Sequence, residues 1–562
     1  MIVSVVSPAR LLPALIGLLI VSPSSATAAA PTLTHLFPAG GQRGQRVAVT
    51  CTGNFAWPVQ VRAMGAEVQV LSESGKLELT IPADLPTDRI WVQLYNAEGI
   101  SAARPFLIDS LPEVLEKEPN DAPDGSQLLE TSSAIVNGVL EKGGAVDSFA
   151  LQLTAGQTLV ADLDAHDRLG SPMDAIVQMV SESGFVLSDQ HDDVGLDPRF
   201  SYHVPRDGKY IVRVFGYPSN PDTTIAYRGG ADYIYRLTLT TGPFISHASP
   251  AAVSRDEPGT VAVQGWNLPV DARLPVQKLG GERWADFVEF ESWGDTRLGF
   301  EDRIGFVYSP DWAGSARVRL LPQIHQPTPD QATDGKVPLQ VPASVTACLA
   351  KPKQIDRYVL PLKKGQAIVI AIESHGLQQQ LQPFVKLLDP EGNVVAKVDA
   401  PKLADGVFSY TAAADATYQL EVTDLFQHGG SQFWYRLGVR EESPDFELAT
   451  AVANVELKAG ATVELDLTLS RRKAPSGAVE AVTVEAMNLP VGVTAEPVTV
   501  DAKTDKLKLK LVAAADAAAF SGPLRILGKA AMPENLQRMA RSPELFGSRF
   551  DQIWLTVIAA SP

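Results

Sequence analysis

The strongest constraint on the fold is a strict alternation of apolar and polar residues along many short segments. Clear examples are residues 210–216 (YIVRVFG), 463–469 (VELDLTL) and 506–512 (KLKLKLV). Alternation with a period of two places the apolar side chains on one face of a β-strand. Turn residues interrupt these segments about every 8–12 residues, as in β-sandwiches. We therefore predict an all-β fold, a string of about five antiparallel β-sandwich modules of Ig-like or jelly-roll-like type. Only short pieces such as 533–547 have a helical pattern.

The chain also repeats itself in the order A–B–A′–B′, followed by a tail. The A pattern occurs as PTLTHLFP at 31–38 and as PFISHASP at 243–250, and a VAV strand follows each copy. The B pattern occurs first as Asp147-Ser-Phe, AGQTLV and GGADYIYRL, and then as Asp356-Arg-Tyr, KGQAIV and GGSQFWYRL. A repeat of this length predicts that A and A′, and likewise B and B′, share a strand order.

The N-terminus indicates export. Residues 1–30 carry one charge, Arg10, which precedes the apolar run LLPALIGLLIV and a stretch of small residues that includes Ala26-Thr-Ala28. This is the pattern of a secretory signal peptide, and its apolar run is short for a membrane span. We expect a secreted protein, periplasmic or extracellular, without a membrane span. The net charge of −17 makes nucleic acid a poor partner, because its binding depends on Lys and Arg contacts to phosphate.

Two cysteines, Cys51 and Cys348, are too few for a disulfide framework. Cys51 alternates in phase with Val47 and Val49, which indicates a buried strand face. We expect two buried free thiols, and the alternative is one disulfide between modules, which export would permit.

Several stretches of B occur in a specific order between residues 114 and 241. They are EKEPND, the strand that begins at Asp147, AGQTLVADLDA, SPMDAIVQMVSESGFVLSDQHDD and SYHVPRDGKYIVRV. Together they resemble the bacterial pre-peptidase C-terminal domain, a secreted β-sandwich often attached to exported proteases. B′ is similar to a degenerate copy, without EKEPND and DQHDD. A and A′ resemble IPT/TIG modules, and the tail, with LPVGVTAEPVTV, is similar to the Ig-like modules found beside secreted glycosidases.

The repeats and resemblances divide the chain into six segments. They are a signal peptide (1–28), an IPT/TIG-like module (29–110, unit A), a pre-peptidase C-terminal domain (111–241, unit B), a second IPT/Ig-like module (242–337, unit A′), a degenerate pre-peptidase C-terminal-like domain (338–441, unit B′) and a C-terminal Ig-like module (442–562).

The segment EKEPND (116–121) is the candidate metal site. In calcium-binding relatives of the pre-peptidase domain this segment supplies ligands together with an acid on the strand that opens the sandwich. The resemblance therefore implies the calcium ligands Glu116, Glu118, Asn120, Asp121 and Asp147. Carboxylate and amide oxygens suit this cation. The alternative is a solvated acidic linker without an ion.

Two features of the segment modify this expectation. Pro119 keeps the chain extended, so alternate side chains, those of residues 116, 118 and 120, face one side while that of residue 121 faces the other. The family often has Gly-Asp-x-Asp where this chain has Gly-Ala145-Val-Asp, and the loss of one carboxylate predicts a weaker site.

Three other groups of residues could have either a functional or a structural role. The loop DQHDD (189–193) fits turn chemistry better than metal binding, because no second histidine follows at ligand spacing. The pair Ser374-His375 lacks a third member in sequence, and neither a G-x-S-x-G nor an H-E-x-x-H motif occurs. Trp284, Trp293 and Trp312 fit either a sugar-stacking face or core packing.

These observations favour a non-catalytic protein with a binding or scaffold role in the cell envelope or extracellular space. Its expected cofactor is calcium, and its expected partner is a protein or polysaccharide of the envelope or matrix. The alternative is a secreted hydrolase or protease-associated accessory protein whose site lies between modules.

Overall fold

The computed structural model describes residues 29–222, 226–278, 289–291, 303–321, 325–327, 333–399 and 405–560. The predicted signal peptide lies outside these residues, as do Trp284 and Trp293. Within the described ranges the regular secondary structure is almost entirely β-strand, arranged as paired sheets with apolar residues between them. The predicted all-β fold of sandwich modules is confirmed.

Unit A consists of two sheets with the orders β1-β3-β6-β5 and β2-β9-β7-β4, and β8 pairs with β7. Val49, Leu79 and Val92 are fully buried between these sheets. The strands are β1 (Thr32–Phe37), β2 (Gly40–Gln42), β3 (Arg46–Asn54), β4 (Gln60–Met64), β5 (Glu67–Val70), β6 (Lys76–Thr80), β7 (Arg89–Asn96), β8 (Gly99–Ile100) and β9 (Arg104–Asp109).

Unit B has the sheets β10-β12-β19-β14-β17 and β11-β13-β18-β15-β16. Its elements are β10 (Glu113–Leu115), a 3₁₀ turn (Pro123–Gly125), β11 (Gln127–Leu128), β12 (Ser133–Val139), β13 (Asp147–Leu153), β14 (Thr158–Asp164), α1 (His166–Leu169), β15 (Met173–Ser181), β16 (Val186–Gln190), β17 (Arg199–His203), β18 (Gly208–Pro218) and β19 (Ile234–Thr240).

Unit A′ has the sheets β23-β22-β20-β27 and β21-β28-β26-β24. Its strands are β20 (Phe244–Ser249), β21 (Ala252–Ser254), β22 (Thr260–Trp266), β23 (Arg273–Pro275), β24 (Gln277–Lys278), β25 (Glu289–Glu291), β26 (Arg303–Val307), β27 (Ala313–Gly314) and β28 (Ala316–Leu321).

Unit B′ has the sheets β29-β31-β36-β33-β34 and β30-β37-β32-β35. Its elements are β29 (Val337–Pro338), β30 (Ala343–Cys348), β31 (Asp356–Leu362), β32 (Ala367–Glu373), a 3₁₀ turn (His375–Leu377), β33 (Pro383–Leu388), β34 (Val394–Asp399), β35 (Gly406–Thr411), β36 (Ala416–Asp424) and β37 (Trp434–Glu441). The order matches that of unit B strand for strand except for β10, in agreement with the repeat.

The C-terminal unit has the sheets β38-β40-β44-β42 and β39-β48-β45-β41-β43, and β46 pairs with β45. Its strands are β38 (Asp445–Thr450), β39 (Asn454–Lys458), β40 (Thr462–Arg472), β41 (Val482–Met487), β42 (Val493–Ala495), β43 (Val498–Val500), β44 (Lys506–Ala513), β45 (Phe520–Ala530), β46 (Gln537–Met539), β47 (Ser548–Phe550) and β48 (Ile553–Ile558). The helical pattern over 533–547 was a wrong prediction, because pairing with β45 makes its centre a strand.

The sandwiches are not purely antiparallel. In unit A the first strand changes sheets after Phe37: β1 pairs antiparallel with β3, and β2 then pairs parallel with β9. The corresponding strands β20 and β21 of unit A′ do the same with β22 and β28. Both copies also contain a bulge in the first strand, between Leu33 and His35 and between Ile245 and His247.

Buried ion pairs join the units. Asp88 of unit A accepts hydrogen bonds from Arg168 of unit B and from Arg317 of unit A′, each at 3.0 Å. Glu373 of unit B′ lies between Arg319 of unit A′ and Arg436 of its own unit, with contacts of 2.6 Å to each. The modules therefore pack against one another through charged groups withdrawn from water.

Candidate acidic metal site

The acidic segment is anchored to the sandwich by its first residue. Strand β10 runs parallel to β12, and the Glu116 amide continues this pairing by donating to the Asn137 carbonyl at 3.0 Å. Glu116 Oε2 accepts a hydrogen bond from the Val139 amide at 2.7 Å. Gly138, between Asn137 and Val139 in the sequence, leaves room for the Glu116 carboxylate, since a Cβ at this position would lie 2.7 Å from Oε2.

The remainder of the segment is held by hydrogen bonds among its own polar groups, and the Glu118 side chain remains exposed. Glu118 Oε2 accepts a hydrogen bond from the Asn120 amide at 2.8 Å, and Asn120 Nδ2 donates to Glu116 Oε1 at 3.3 Å. The Asn120 side chain is buried, and its Oδ1 has no hydrogen-bond partner in the described part of the chain.

Asp147 completes the group from the first position of β13. It is fully buried, and its Oδ2 accepts a hydrogen bond from the Tyr235 hydroxyl at 2.6 Å. Its Oδ1 has no partner among the described residues. One carboxylate oxygen from each of Glu116, Glu118 and Asp147 lies within 4.8 Å of the others. The structure therefore brings together four of the five predicted ligands.

Asp121 lies apart from this group. Its Oδ1 accepts a hydrogen bond from the Val146 amide at 3.2 Å, and its Oδ2 lies 3.5 Å from Lys142 Nζ. Asp121 thus binds the turn before β13 and does not join Asn120, as expected for neighbouring residues of an extended chain. Ala145 is buried in the core of unit B.

Burial makes the ionised form of this group costly. It raises the pKa of Glu116 to about 7 and, together with the Glu116 charge, raises the pKa of Asp147 to about 9. Three carboxylates, one of them fully buried, and two buried oxygens without donors form an acceptor-only site. Such a set fits a hard cation, which supplies the missing positive charge.

Unit B′ contains the same aspartate and tyrosine without the acids. The Tyr435 hydroxyl donates to Asp356 Oδ2 at 2.6 Å, as Tyr235 does to Asp147. The other oxygen of Asp356 accepts from Gln354 Nε2 at 2.8 Å. An amide donor thus satisfies in B′ the oxygen that has no donor in B. Sequence reasoning missed the tyrosines, although both lie in the matched stretches GGADYIYRL and GGSQFWYRL.

The loop DQHDD lies at the contact with unit B′. Asp193 accepts hydrogen bonds from the Arg199 amide at 3.2 Å and from Gln380 Nε2 at 2.8 Å. His191 contacts Asp192 at 3.1 Å, and both are exposed. In the described residues this loop does not form a group of three metal-ligating side chains.

Ser374 and His375 bind different partners. Ser374 Oγ donates to the Trp434 carbonyl at 2.9 Å, and His375 Nε2 lies 3.2 Å from Gln382 Oε1. Asp405 accepts hydrogen bonds from the backbone amides of both residues. The pair thus forms a capped turn, and its side chains do not bond to each other.

The other residues singled out in the sequence, Trp312 and the two cysteines, lie in or beside the hydrophobic interior of their units. Trp312 is half-buried against the core of unit A′. Cys51 and Cys348 are free thiols. Cys51 is buried, which raises its pKa to about 12, whereas Cys348 is only half-buried and donates to the Gly430 carbonyl at 3.2 Å.

Comparisons with known proteins return weak similarities. The pre-peptidase C-terminal domain of collagenase from Bacillus anthracis matches with 14% identity over 19% of this chain and 98% of its own, with a TM-score of 0.16. The fibronectin(III)-like modules of CbhA from Clostridium thermocellum match with 11% identity over 36% of this chain and 95% of theirs, with a TM-score of 0.13. The four N-terminal Ig domains of a Dscam1 isoform match with 9% identity over 95% of this chain and 100% of theirs, with a TM-score of 0.19.

No protein-family model matches the sequence, and no curated protein matches it significantly. Because the TM-scores of the three structures are so low, the β-sandwich assignment rests on the strand pairing described above. Among the described residues, no helix has the length and apolar character needed to cross a bilayer.

Proposed function

We propose that this chain is an exported, non-catalytic multidomain protein that binds a protein or polysaccharide of the cell envelope or extracellular space, or acts there as a scaffold. Unit B is a pre-peptidase C-terminal-like domain that calcium stabilises. Export is supported by the N-terminal sequence pattern. The non-catalytic role is supported by the structural hydrogen bonds of Ser374 and His375.

One observation carries the calcium assignment. Three carboxylates lie within 4.8 Å of one another, and the buried oxygens Asn120 Oδ1 and Asp147 Oδ1 lack donors among the described residues. Buried polar atoms normally have partners. A calcium ion would take Glu116, Glu118, Asn120 and Asp147 as ligands, and it would fasten the segment before unit B to the sandwich. Asp121 is assigned to the adjacent turn.

The test is thermal unfolding of the full mature chain in calcium and in chelator. We expect calcium to raise the melting temperature of the wild type, because an ion that binds only the folded state stabilises it by about 2.7 kcal/mol at a hundredfold excess over Kd. Extracellular calcium modules bind with Kd of roughly 10⁻⁴–10⁻³ M, so about 10 mM calcium is required and should stabilise the chain by about 1.4–2.7 kcal/mol. The substitution Asp147→Asn should abolish the shift.

The repeat provides the matched control. Asp356→Asn changes the equivalent aspartate of unit B′, where Gln354 already donates to the free oxygen, and it should leave the calcium shift unchanged. Equal melting temperatures of the wild type in calcium and chelator would mean that EKEPND is only a linker. If Asp356→Asn also abolished the calcium shift, the loss seen in Asp147→Asn would reflect general destabilisation and not a lost calcium ligand.

A further inference from the structure

A polar cavity lies where units A, B, A′ and B′ meet. It consists of two neighbouring pockets with shared lining residues, one of about 40 Å³ (the narrow part) and one of about 220 Å³ (the wider part). Asp162, Asp164, Arg168 and Arg199 of unit B line both parts. These side chains come from the end of β14, from α1 and from β17.

The carboxylates that line the narrow part already accept hydrogen bonds at both oxygens. Asp162 accepts from Arg199 Nε at 2.6 Å and from Arg199 Nη2 at 3.1 Å. Asp164 accepts from Arg168 Nη1 at 3.2 Å at each oxygen. Asp88 binds Arg168 and Arg317, and Asp109 accepts from two amides of its own turn and one of unit A′. The acceptors are therefore occupied.

Several buried nitrogen atoms of residues that line the narrow part have no hydrogen-bond partner among the described residues. Arg199 Nη1 and Arg168 Nε are buried and have no hydrogen-bond partner within the described ranges. Both ring nitrogens of His247 also have no hydrogen-bond partner in the part of the chain that the structure describes, and this side chain is only 6% exposed. Burial, and secondarily the nearby charge of Arg199, lowers the pKa of His247 to about 3. The imidazole is thus neutral at physiological pH and offers one N–H group.

We propose that this cavity binds a small oxyanion, either inorganic phosphate or sulfate or the carboxylate of a small organic acid. The charged oxygens of an oxyanion are hydrogen-bond acceptors, so they satisfy the donors that Arg199, Arg168 and His247 leave without partners. A guanidinium with a free Nη1 and a neutral imidazole N–H suit such a ligand without a further positive charge. The site is independent of the acidic segment 116–121.

Isothermal titration calorimetry of the full mature chain tests this proposal. The protein is first freed of metal with chelator and then dialysed into a buffer without chelator, chloride or any small oxyanion, and the probes are inorganic phosphate, sulfate, malonate and glucuronate. We expect saturable binding of one anion per chain for at least one probe. Preference for phosphate and sulfate over the two carboxylates would identify a free inorganic ion, and the reverse would identify an organic acid. Absence of saturable binding with Kd below about 10 mM for every probe would mean that only water fills the cavity.

Two variants locate the binding. His247→Phe removes the ring nitrogens but keeps an aromatic ring against Trp434, whose centroid lies 4.6 Å from that of His247. Arg199→Lys removes Nη1 and keeps the charge. Each should weaken binding at least about tenfold, while His203→Phe, an exposed histidine of β17, should not. If Arg199→Lys does not fold, His247→Phe decides. Unchanged affinity in the folded cavity variants, or an equal loss in His203→Phe, would overturn the proposal.

Discussion

Gly53 and Gly265 stand at matching positions of the two A units, and in each case a neighbouring carbonyl occupies the place of a side chain. A Cβ at Gly53 would lie 2.1 Å from the Thr32 oxygen, and a Cβ at Gly265 would lie 2.0 Å from the Phe244 oxygen. Each glycine is paired with the first strand immediately before its bulge. The close approach of two backbones explains why the repeat retains glycine here.

Gly53→Ala should lower the free energy of unfolding by about 2 kcal/mol or more, because the added methyl group meets backbone that cannot rotate away. Gly208→Ala is the control, since its Cβ would meet only the Tyr210 ring at 3.9 Å and should cost no more than about 0.5 kcal/mol. Denaturant unfolding measures both. Equal stability of the two variants would contradict the packing described for β1 and β3.

The raised pKa values at the acidic site predict a pH dependence of stability. Glu116 and Asp147 titrate near 7 and 9 in the folded protein without metal, compared with about 4 in an unfolded chain. The folded state therefore binds more protons between these limits, so the free energy of unfolding falls as the pH rises from about 4 to about 9. Calcium should reduce this fall, because it binds the ionised carboxylates.

The measurement is the melting temperature from about pH 5 to about pH 9, in chelator and in calcium. Asp147→Asn removes the group with the higher pKa and should flatten the dependence in chelator. A slope in chelator that is identical in wild type and Asp147→Asn would show that other groups cause the pH dependence.

At the scale of elements, strand β28 connects three units through alternate residues. Arg317 and Arg319 point to the same side of the strand, where Arg317 binds Asp88 of unit A and Arg319 binds Glu373 of unit B′. Glu373 is fully buried, and the charges of Arg319 and Arg436 lower its pKa to about 2 despite that burial. The charge of this carboxylate is therefore part of the folded structure.

Glu373→Gln should destabilise the protein by about 3–5 kcal/mol, because it leaves two buried arginines without their counter-charge. Glu464→Gln breaks an exposed pair with Lys508 and should have no measurable effect. Denaturant unfolding at neutral pH compares them. A small effect of Glu373→Gln would mean that water enters this contact.

The alternation of apolar and polar residues predicted the β-sandwich fold, because it depends on neighbouring residues. The repeats predicted the strand order of B′, because similar segments follow one another in the same order in both copies. Four of the five candidate ligands also lie together, because EKEPND and Asp147 are close in sequence and β10, which precedes EKEPND, pairs with β12 just before Asp147. The central ion pairs could not be predicted in this way. Asp88 and Arg317 are 229 residues apart, and in the sequence each resembles an ordinary solvated charge.

At the scale of the whole molecule, a loop of the C-terminal unit packs onto the outer face of unit A. Trp91 is fully buried and contacts Phe546 and Phe550, with ring centroids 6.1 and 5.3 Å away. Arg89 donates to the Phe546 carbonyl at 3.3 Å. In addition, β47 pairs with β25 of unit A′. Trp91 belongs to this contact and not to the core of unit A.

Trp91→Ala should therefore release the C-terminal unit from unit A without unfolding either one, at a cost of about 3–5 kcal/mol to the contact. We expect calorimetry to resolve an additional transition and limited proteolysis to cleave near residue 442. Trp57→Ala, which removes a ring that packs on the core of unit A, should instead lower the transition of that unit. A single unchanged transition in Trp91→Ala would contradict this assignment.

The ion pairs between units also limit how the two halves can change. Asp88, in the first A copy, neutralises Arg317, in the second, and the second A copy in turn supplies Arg319 to Glu373. Each half of the duplication thus holds buried charges of the other half. A chain cut after residue 241 would expose Asp88 and Arg168 and remove Arg317 from them. Removing one unit would leave a buried charge of its neighbour without its partner, so each unit depends on the others for its stability.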